Sequence, residues 1–547
     1  METRIKDAVR NALLALGAPE LPFAVERPGD HAHGDYAVNA ALVAAKVLGK
    51  NPKEVADALA TELTKALGDS VTRVSVAGPG FINITLARSV ITDALEEAHT
   101  EEWGKGVVNA EKRVMVEFTD PNPFKEMHIG HLMSNVIGES VARLIEYSGA
   151  TVARANYFGD VGPHVAKAIW GLKHAGVTDP DSAAEIGKAY AHGSRSYEES
   201  EKAKEEIDAL NIALYKGEDR ELMEFWRKGR AVSLDAFEEV YKTLGTKFDY
   251  YFPESEVADD GVRLVQEGVE KGVFEESQGA IIFNGEKRGL HTLVFITSKG
   301  TPTYEAKELG LAFAKEARWP SDVSLILTAA EQVGHFHVAL AALKEFAHAL
   351  AEKTAHIPHG FLRLTTGKMS SREGTIVTAT SLINDMVAKA QERAQDVLVA
   401  EQVGIAAIKY MVLRQAPGGD IIFNPEQSLS LEGDSGPYLQ YALVRATSVL
   451  ASAEKEGSRE DAPAEPYLIE RLISRFPEVA ARAERERSPH HVAQYLTTLA
   501  GEWNSFYAQN RIIGGEYEPY KLFVARAFQN TMKKGLWLLG IPTPEKM

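Results

Sequence analysis

The chain has no cysteine. That excludes disulfides, a thiol nucleophile and any zinc site built on thiolates, and it fits a reducing compartment. Long apolar runs are missing too. No stretch approaches the roughly 18 uncharged apolar residues of a membrane span, and the first residues carry no apolar leader core, so a cytoplasmic protein without membrane partners is expected. Positive charge is scarce: 60 Lys and Arg stand against 77 Asp and Glu, for a net charge of −17. This is the wrong sign for a general DNA or RNA binder, whose affinity comes from neutralised phosphates. The imbalance is uneven, however, and the last quarter is close to neutral, which leaves room for a local basic face. The pairs His31/His33, His335/His337 and His490/His491 lack the flanking spacing of metal ligands. They read as structural or surface histidines, and no metal site is expected. Internal repeats are absent. What remains is an ordinary globular composition, 45% apolar and 25% charged over 547 residues, long enough for three or four domains.

The most informative stretch is 117–131, Glu-Phe-Thr-Asp-Pro-Asn-Pro-Phe-Lys-Glu-Met-His-Ile-Gly-His. It follows the apolar run Val114-Met115-Val116 and opens a helical pattern of Leu132, Val136, Ile137, Val141, Leu144 and Ile145. The order is therefore strand, turn, helix N-terminus, with His128 and His131 on the first turns. A helix N-terminus offers free N–H groups and a partial positive charge, which suit phosphate, and two imidazoles on one face add donors. Gly130 lets a flat group such as a purine approach the backbone. On its own the pair also fits two surface histidines. Far downstream, Gly367-Lys368-Met369-Ser370-Ser371-Arg372-Glu373-Gly374 has the Gly-bounded, Ser-rich, basic composition of a phosphate-contacting loop.

Three regions are legible. Residues 1–95 read as an α+β unit. Helical patterns (Ile5, Val9, Leu13, Leu16; Val38, Leu42, Val43, Val47) lead to two strands split by Gly78-Pro79-Gly80. In the second strand, Ile82, Ile84 and Leu86 face a core, so Phe81 and Asn83 share the opposite face, where an aromatic beside an amide can stack on and bond a splayed base. Residues 110–375 read as an α/β unit. Apolar runs at 114–118, 280–283, 293–297 and 323–328 alternate with helices, the pattern of a doubly wound parallel sheet, interrupted by a charged helical insertion at about 180–260. Residues 376–547 read as an all-α bundle. In it Trp503, Phe506 and Tyr507 lie on one helical face ahead of Asn510 and Arg511; the first two suit a core, leaving Tyr507 and Arg511 as candidate RNA contacts.

The two loops, in this order and separation, resemble the HIGH and KMSKS signatures of class I aminoacyl-tRNA synthetases, and Pro-Asn-Pro-x-Lys-x-x-His-Ile-Gly-His resembles the arginyl-tRNA synthetase family in particular. The resemblance spans the chain, from Gly34-Asp35-Tyr36 to the terminal Gly540-Ile541-Pro542. It implies ATP-dependent ligation of L-arginine to tRNA(Arg) through an arginyl-adenylate, in a Rossmann-like catalytic domain with a tRNA-contacting N-terminal domain and a helical anticodon-binding domain. ATP and Mg²⁺ would enter together as substrate, with no tightly bound cofactor, and the enzyme would be a monomer.

By the same resemblance, His128, His131 and Lys368 are catalytic. Gly130, Met369, Ser370 and Ser371 would hold ATP, and Phe81 and Asn83 would touch the tRNA elbow. The arginine pocket maps onto Glu117, Asn122, Tyr304, Glu308 and Gln332. The family usually has Asp at position 308, and class I enzymes usually have a second lysine where Ser371 stands. Lys125 is the expected source of the missing charge, with Arg372 the alternative. Asp160, in Phe158-Gly159-Asp160-Val161-Gly162, reads as an active-site turn or a structural one.

Overall fold

The computed structural model describes residues 1–364, 377–394 and 396–547. Their contacts divide into two units.

The first unit comprises Met1–Gly104, Ala442–Ala480 and Thr498–Lys533. Its sheet is antiparallel, in the order Val25–Glu26, Tyr36–Val38, Phe81–Leu86, Val71–Ala77. Helix Glu2–Ala15 buries Ile5, Val9 and Leu13, as its spacing predicts. The next helix departs from prediction. Val38 belongs to a strand, helix Ala40–Leu48 turns Ala40, Ala41, Ala44 and Ala45 inward, and Val47 is 54% exposed. Starting the helix after Asn39 rotates its buried face onto the alanines. Ion pairs join the first hundred residues to the later segments of this unit, among them Arg27 with Glu478, Arg88 with Glu470, and Arg471 with Asp35. Glu478 also accepts from the Tyr36 hydroxyl.

The second unit comprises Lys105–Tyr441, Ala481–Thr497 and Lys534–Met547. At its centre lie five parallel strands: β1 (Arg113–Glu117), β2 (Thr151–Phe158), β3 (Tyr250–Pro253), β4 (Val323–Ala329) and β5 (Thr354–His359). Their order is β5-β4-β1-β2-β3, so the winding reverses beside β1. Ligands of such sheets bind at the carboxyl ends of the strands where the order reverses. Val114, Met115, Val116 and Leu325, Ile326, Leu327 are buried on both faces, hence the uninterrupted apolar runs. Helix α1 (Ile129–Tyr147) follows β1, and the insertion contributes α2 (Ala183–Glu199), α3 (Glu201–Lys216) and α4 (Arg220–Leu244). After β3 come α5 (Glu254–Glu270) and α6 (Tyr304–Arg318), and after β5 come α7 (Ala379–Gln391) and α8 (Val397–Leu413).

Four differences from the sequence reading have physical causes. The runs 280–283 and 293–297 do not join the parallel sheet; Ala280–Phe283 and Leu293–Ile296 form a separate antiparallel sheet with Glu275–Ser277. The connections are too short for a parallel crossover, and Gln278 and Gly279, with φ of +51° and +79°, make a tight hairpin turn. The insertion also closes earlier than 260, because Tyr250–Pro253 is an edge strand of the central sheet. Strand β2 was missed because Arg154 and Asn156 interrupt its apolar pattern; Arg154 reaches Glu139 and Asn156 is buried under Tyr241. Finally, α7 and α8, assigned to the terminal bundle, pack on α1 of the catalytic unit. Helix α8 is buried on almost every side, from Val403 to Leu413, as a core helix must be.

Candidate active site

The turn leaving β1 is strained. Thr119, Asp120 and Phe124 have φ of +82°, +48° and +66°, a left-handed region that costs a non-glycine residue about 1–3 kcal/mol. Hydrogen bonds hold it there. Ser134 Oγ on α1 accepts from Thr119 N at 3.0 Å and donates to Leu327 O on β4 at 3.2 Å. Asn135 donates to the Thr119 hydroxyl at 3.0 Å, and Asp120 Oδ1 accepts from Tyr157 N at 3.1 Å. The turn is thereby fixed against β2, β4 and α1 together.

His128 caps α1. Its Nδ1 accepts from Gly130 N at 3.1 Å, while His131 Nδ1 accepts from His128 N at 3.2 Å, and the rings stack with centroids 3.7 Å apart. Burial, then Lys125, lowers the His128 pKa; burial, His128, Lys125 and His359 hold His131 well below the usual imidazole value. Both rings are therefore neutral near pH 7, and because each Nδ1 accepts, each Nε2 carries the proton. The pair presents two N–H donors, not two cations. Gly130 has a reason beyond ligand access: a Cβ there would lie 2.9 Å from the His128 ring.

At the other end lies a cluster of carboxylates. Glu117 is 1% exposed and accepts from Lys315 Nζ at 2.7 Å. Glu308 is 7% exposed, its Oε1 has no hydrogen-bond partner, and burial reinforced by Glu117 pushes its carboxyl up to about 7. Burial, Glu117 and Glu308 likewise raise Asp120 well above the carboxylate range. Glu254 is paired with Lys307.

A cavity of about 700 Å³ joins the two ends. Of the residues expected in the site, His128, Gly130, His131, Asn122, Tyr304 and Gln332 line it. Glu117 does not: its carboxylate is turned below the wall and taken by Lys315. Glu308 sits one helical turn beyond Tyr304, bonded to it, and opens on a separate void of about 20 Å³ beside Lys315. Lys125 is also outside the cavity lining, its ammonium 4.8 Å from the centre of the Tyr190 ring. Lys368, Met369, Ser370, Ser371 and Arg372 fall outside the described residues. The chain before that segment reaches the cavity, and the chain after it is bonded to the start of the first signature. Leu362 lines the cavity, while Val377 O accepts from Ile129 N at 3.2 Å and Ala379 N donates to Met127 O at 2.7 Å.

Asp160 is a tie for the backbone. It accepts from Ser255 N and Oγ at 2.9 and 2.8 Å and pairs with Arg230, which joins β2 to α5 and to the insertion. In the first unit, Phe81 is 40% exposed and Asn83 half-buried on the outer face of their strand. Trp503 and Phe506 are core, whereas Tyr507 is 43% exposed with the Arg445 guanidinium 5.2 Å from its ring centre. Arg511 is exposed and donates to Ile513 O at 3.2 Å.

Sequence reasoning missed Asp120, Glu254, Glu305 and His335, all in the cavity wall. His335 had been set aside as structural or surface. Its ring packs 4.6 Å from that of Tyr304, and its Nδ1 meets Glu305 at 3.1 Å. The one available signal was its place three residues after Gln332. No group of residues suited to holding a metal occurs among the described residues. Among them, too, no helix is long and apolar enough to cross a membrane.

Residues 92–424 match the family described as tRNA synthetases class I (R), catalytic domain, and residues 439–547 the DALR anticodon binding domain. Residues 2–86 match the arginyl tRNA synthetase N terminal domain. The chain belongs to the arginyl-tRNA synthetase family. The arginine–tRNA ligase of Treponema denticola is 30% identical over 507 residues, covering 86% of this chain and 85% of that protein. That of Halothermothrix orenii is 28% identical, covering 100% and 99%. The solved arginyl-tRNA synthetase of Thermus thermophilus superposes with a TM-score of 0.81 at 27% identity, covering 100% of both chains. Family membership accounts for the architecture: a class I parallel sheet, an N-terminal domain and a helical end domain, serving the ATP-dependent ligation of arginine to tRNA.

Proposed function

We propose that the cavity binds ATP at its imidazole end and arginine at its acidic end. In the first step the arginine carboxylate attacks the α-phosphorus and pyrophosphate leaves; in the second the terminal ribose of tRNA(Arg) takes the arginyl group from the adenylate. Neither step needs an enzyme nucleophile, so the residues act by positioning and by stabilising phosphoryl charge. The Nε2–H groups of His128 and His131 donate to phosphate oxygens, alongside the N-terminus of α1. Gly130 keeps that face open. Lys125 and Lys368 supply positive charge, and Met369, Ser370 and Ser371 complete the ATP contacts. Mg²⁺ arrives with ATP.

Arginine carries two positive groups into a region with more carboxylates than cations. Tyr304, Asn122 and Gln332 orient it, Glu308 meets the guanidinium when Tyr304 shifts, and Glu117 contributes through Lys315. Phe81 and Asn83 contact the tRNA elbow, and Tyr507 and Arg511 contact its anticodon region. The protein works as a monomer in the cytoplasm.

The observation that carries this reading is the cavity with neutral N–H donors at one end and the carboxylates of Asp120, Glu254 and Glu305 in its wall, with the unpartnered Glu308 oxygen buried just beyond Tyr304. Arginine-dependent ATP–pyrophosphate exchange, run with and without tRNA over a panel of amino acids, tests it. Exchange with another amino acid and none with arginine would overturn it.

A further inference from the structure

The helical insertion grips the turn before the first signature at three consecutive residues. The Phe124 ring is fully buried with Ile186, Leu222, Phe225 and Trp226, and Phe124 N donates to Ser233 Oγ at 3.0 Å. A Cβ on Gly229 of α4 would stand 2.5 Å from that ring. Glu126 is pressed on α2, where a Cβ on Gly187 would stand 2.9 Å from its side chain. Between these two anchors, Lys125 lays its ammonium 4.8 Å from the centre of the Tyr190 ring. Gly187 and Tyr190 are three apart on α2 and so share the face that meets the turn.

The partner is as informative as the place. Among the described residues no carboxylate pairs with Lys125. A carboxylate would orient the ammonium but cancel its charge, whereas the face of a phenol ring orients it through the ring quadrupole and leaves the charge whole. The field of Lys125 also reaches the signature, since it is among the causes that depress His128 and His131.

We propose that Tyr190 is a positioning residue for phosphoryl transfer, its ring face holding the Lys125 ammonium beside the His128 and His131 imidazoles with its charge uncancelled. This rests on Lys125 acting on the phosphates of ATP. The insertion is then part of the catalytic apparatus, reaching the reaction through Lys125.

The test uses the full chain in arginine-dependent ATP–pyrophosphate exchange with saturating tRNA, on Tyr190→Leu, Tyr190→Phe, Lys125→Ala and the Tyr190→Leu/Lys125→Ala double variant. Leucine keeps the apolar bulk and removes the ring; phenylalanine keeps the ring. In Tyr190→Leu, kcat falls about five- to tenfold, the size of one partly desolvated cation–π contact. KM for arginine stays within about twofold, and Tyr190→Phe restores the rate. The double variant is no slower than Lys125→Ala, because residues acting through one another are not additive. A normal rate in Tyr190→Leu beside a slow Lys125→Ala overturns the role of Tyr190 alone. So does a Tyr190→Phe as slow as Tyr190→Leu, or full additivity in the double variant. A normal rate in Lys125→Ala removes the reading of Lys125 itself and the proposal with it. Thermal midpoints guard against misfolding, and Tyr190→Met replaces the leucine variant if that one does not fold.

Discussion

Lys315 donates to Glu117 at 2.7 Å, while Glu308, two turns earlier on the same helix, keeps a buried oxygen without a partner. One cation thus serves two carboxylates, and the site holds more acid than it can neutralise without its substrate.

Glu308→Ala should therefore impair arginine use far more than ATP use. It removes the carboxylate expected to face the guanidinium, at a cost of about 2–5 kcal/mol for a desolvated charge pair. Arginine KM should rise about 30-fold or more, with ATP KM little changed. Glu308→Asp should keep much of the activity, aspartate being the family's usual residue. An arginine KM unchanged in the alanine variant would place the guanidinium elsewhere.

The same carboxyl predicts a pH dependence. At about 7 its folded pKa lies above its ordinary value, so the empty site holds an extra proton below pH 7 that a bound guanidinium expels. Arginine KM should fall about tenfold from pH 6 to pH 8, following the ionised fraction. The linkage has the opposite sign for stability. Ionising a buried acid disfavours the fold, so the arginine-free protein loses stability as pH rises from about 4.5 to about 7. Glu308→Gln should flatten both profiles; Asp120, raised by the same neighbours, supplies any slope that remains. KM and melting temperature across this range check the two signs.

Lys125→Ala should lower arginine activation by about 10²–10³, the usual loss for one missing charge or donor at a transition state. Ser371→Lys, which restores the class I lysine, should recover part of it. If Arg372→Ala is slow and Lys125→Ala is not, the charge comes from the second signature instead.

Phe81→Ala should cost roughly 1–3 kcal/mol of tRNA binding if a base stacks on the exposed ring, without altering arginine KM at saturating tRNA. Binding by the Phe81→Ala/Asn83→Ala double variant measures this directly, and retained affinity would leave the face without an RNA role.

Legibility followed the range of the interactions. The strand, turn and helix at 113–147 were legible because His128, Gly130 and His131 form their bonds within a few residues. The sheet partners were not, since the apolar runs at 280–283 and 293–297 look like parallel-sheet strands until the length of their connection is weighed. Helix Val397–Leu413 was read as helical and grouped with the terminal bundle, whereas it packs on Ile129–Tyr147, because an apolar sequence does not say which core receives it. Glu117 and Glu308 were placed at the cavity wall on resemblance alone. Their actual depth depends on Lys315 and on the Tyr304 ring, and neither leaves a trace in local spacing.

The ion pairs of the first unit bear on how such a protein can be taken apart. Arg27, Asp35 and Arg88 find their counter-charges in Glu478, Arg471 and Glu470, nearly four hundred residues or more along the chain. Cutting away the first hundred residues would take Arg88 from Glu470, leaving that carboxylate to the Tyr520 hydroxyl and Tyr467 N, and would strip Glu478 and Arg471 of their counter-charges as well. The amino-terminal segment is therefore not a detachable module. A truncated form, made in the laboratory or by gene loss, would have to replace Glu470 and its neighbours in the same step.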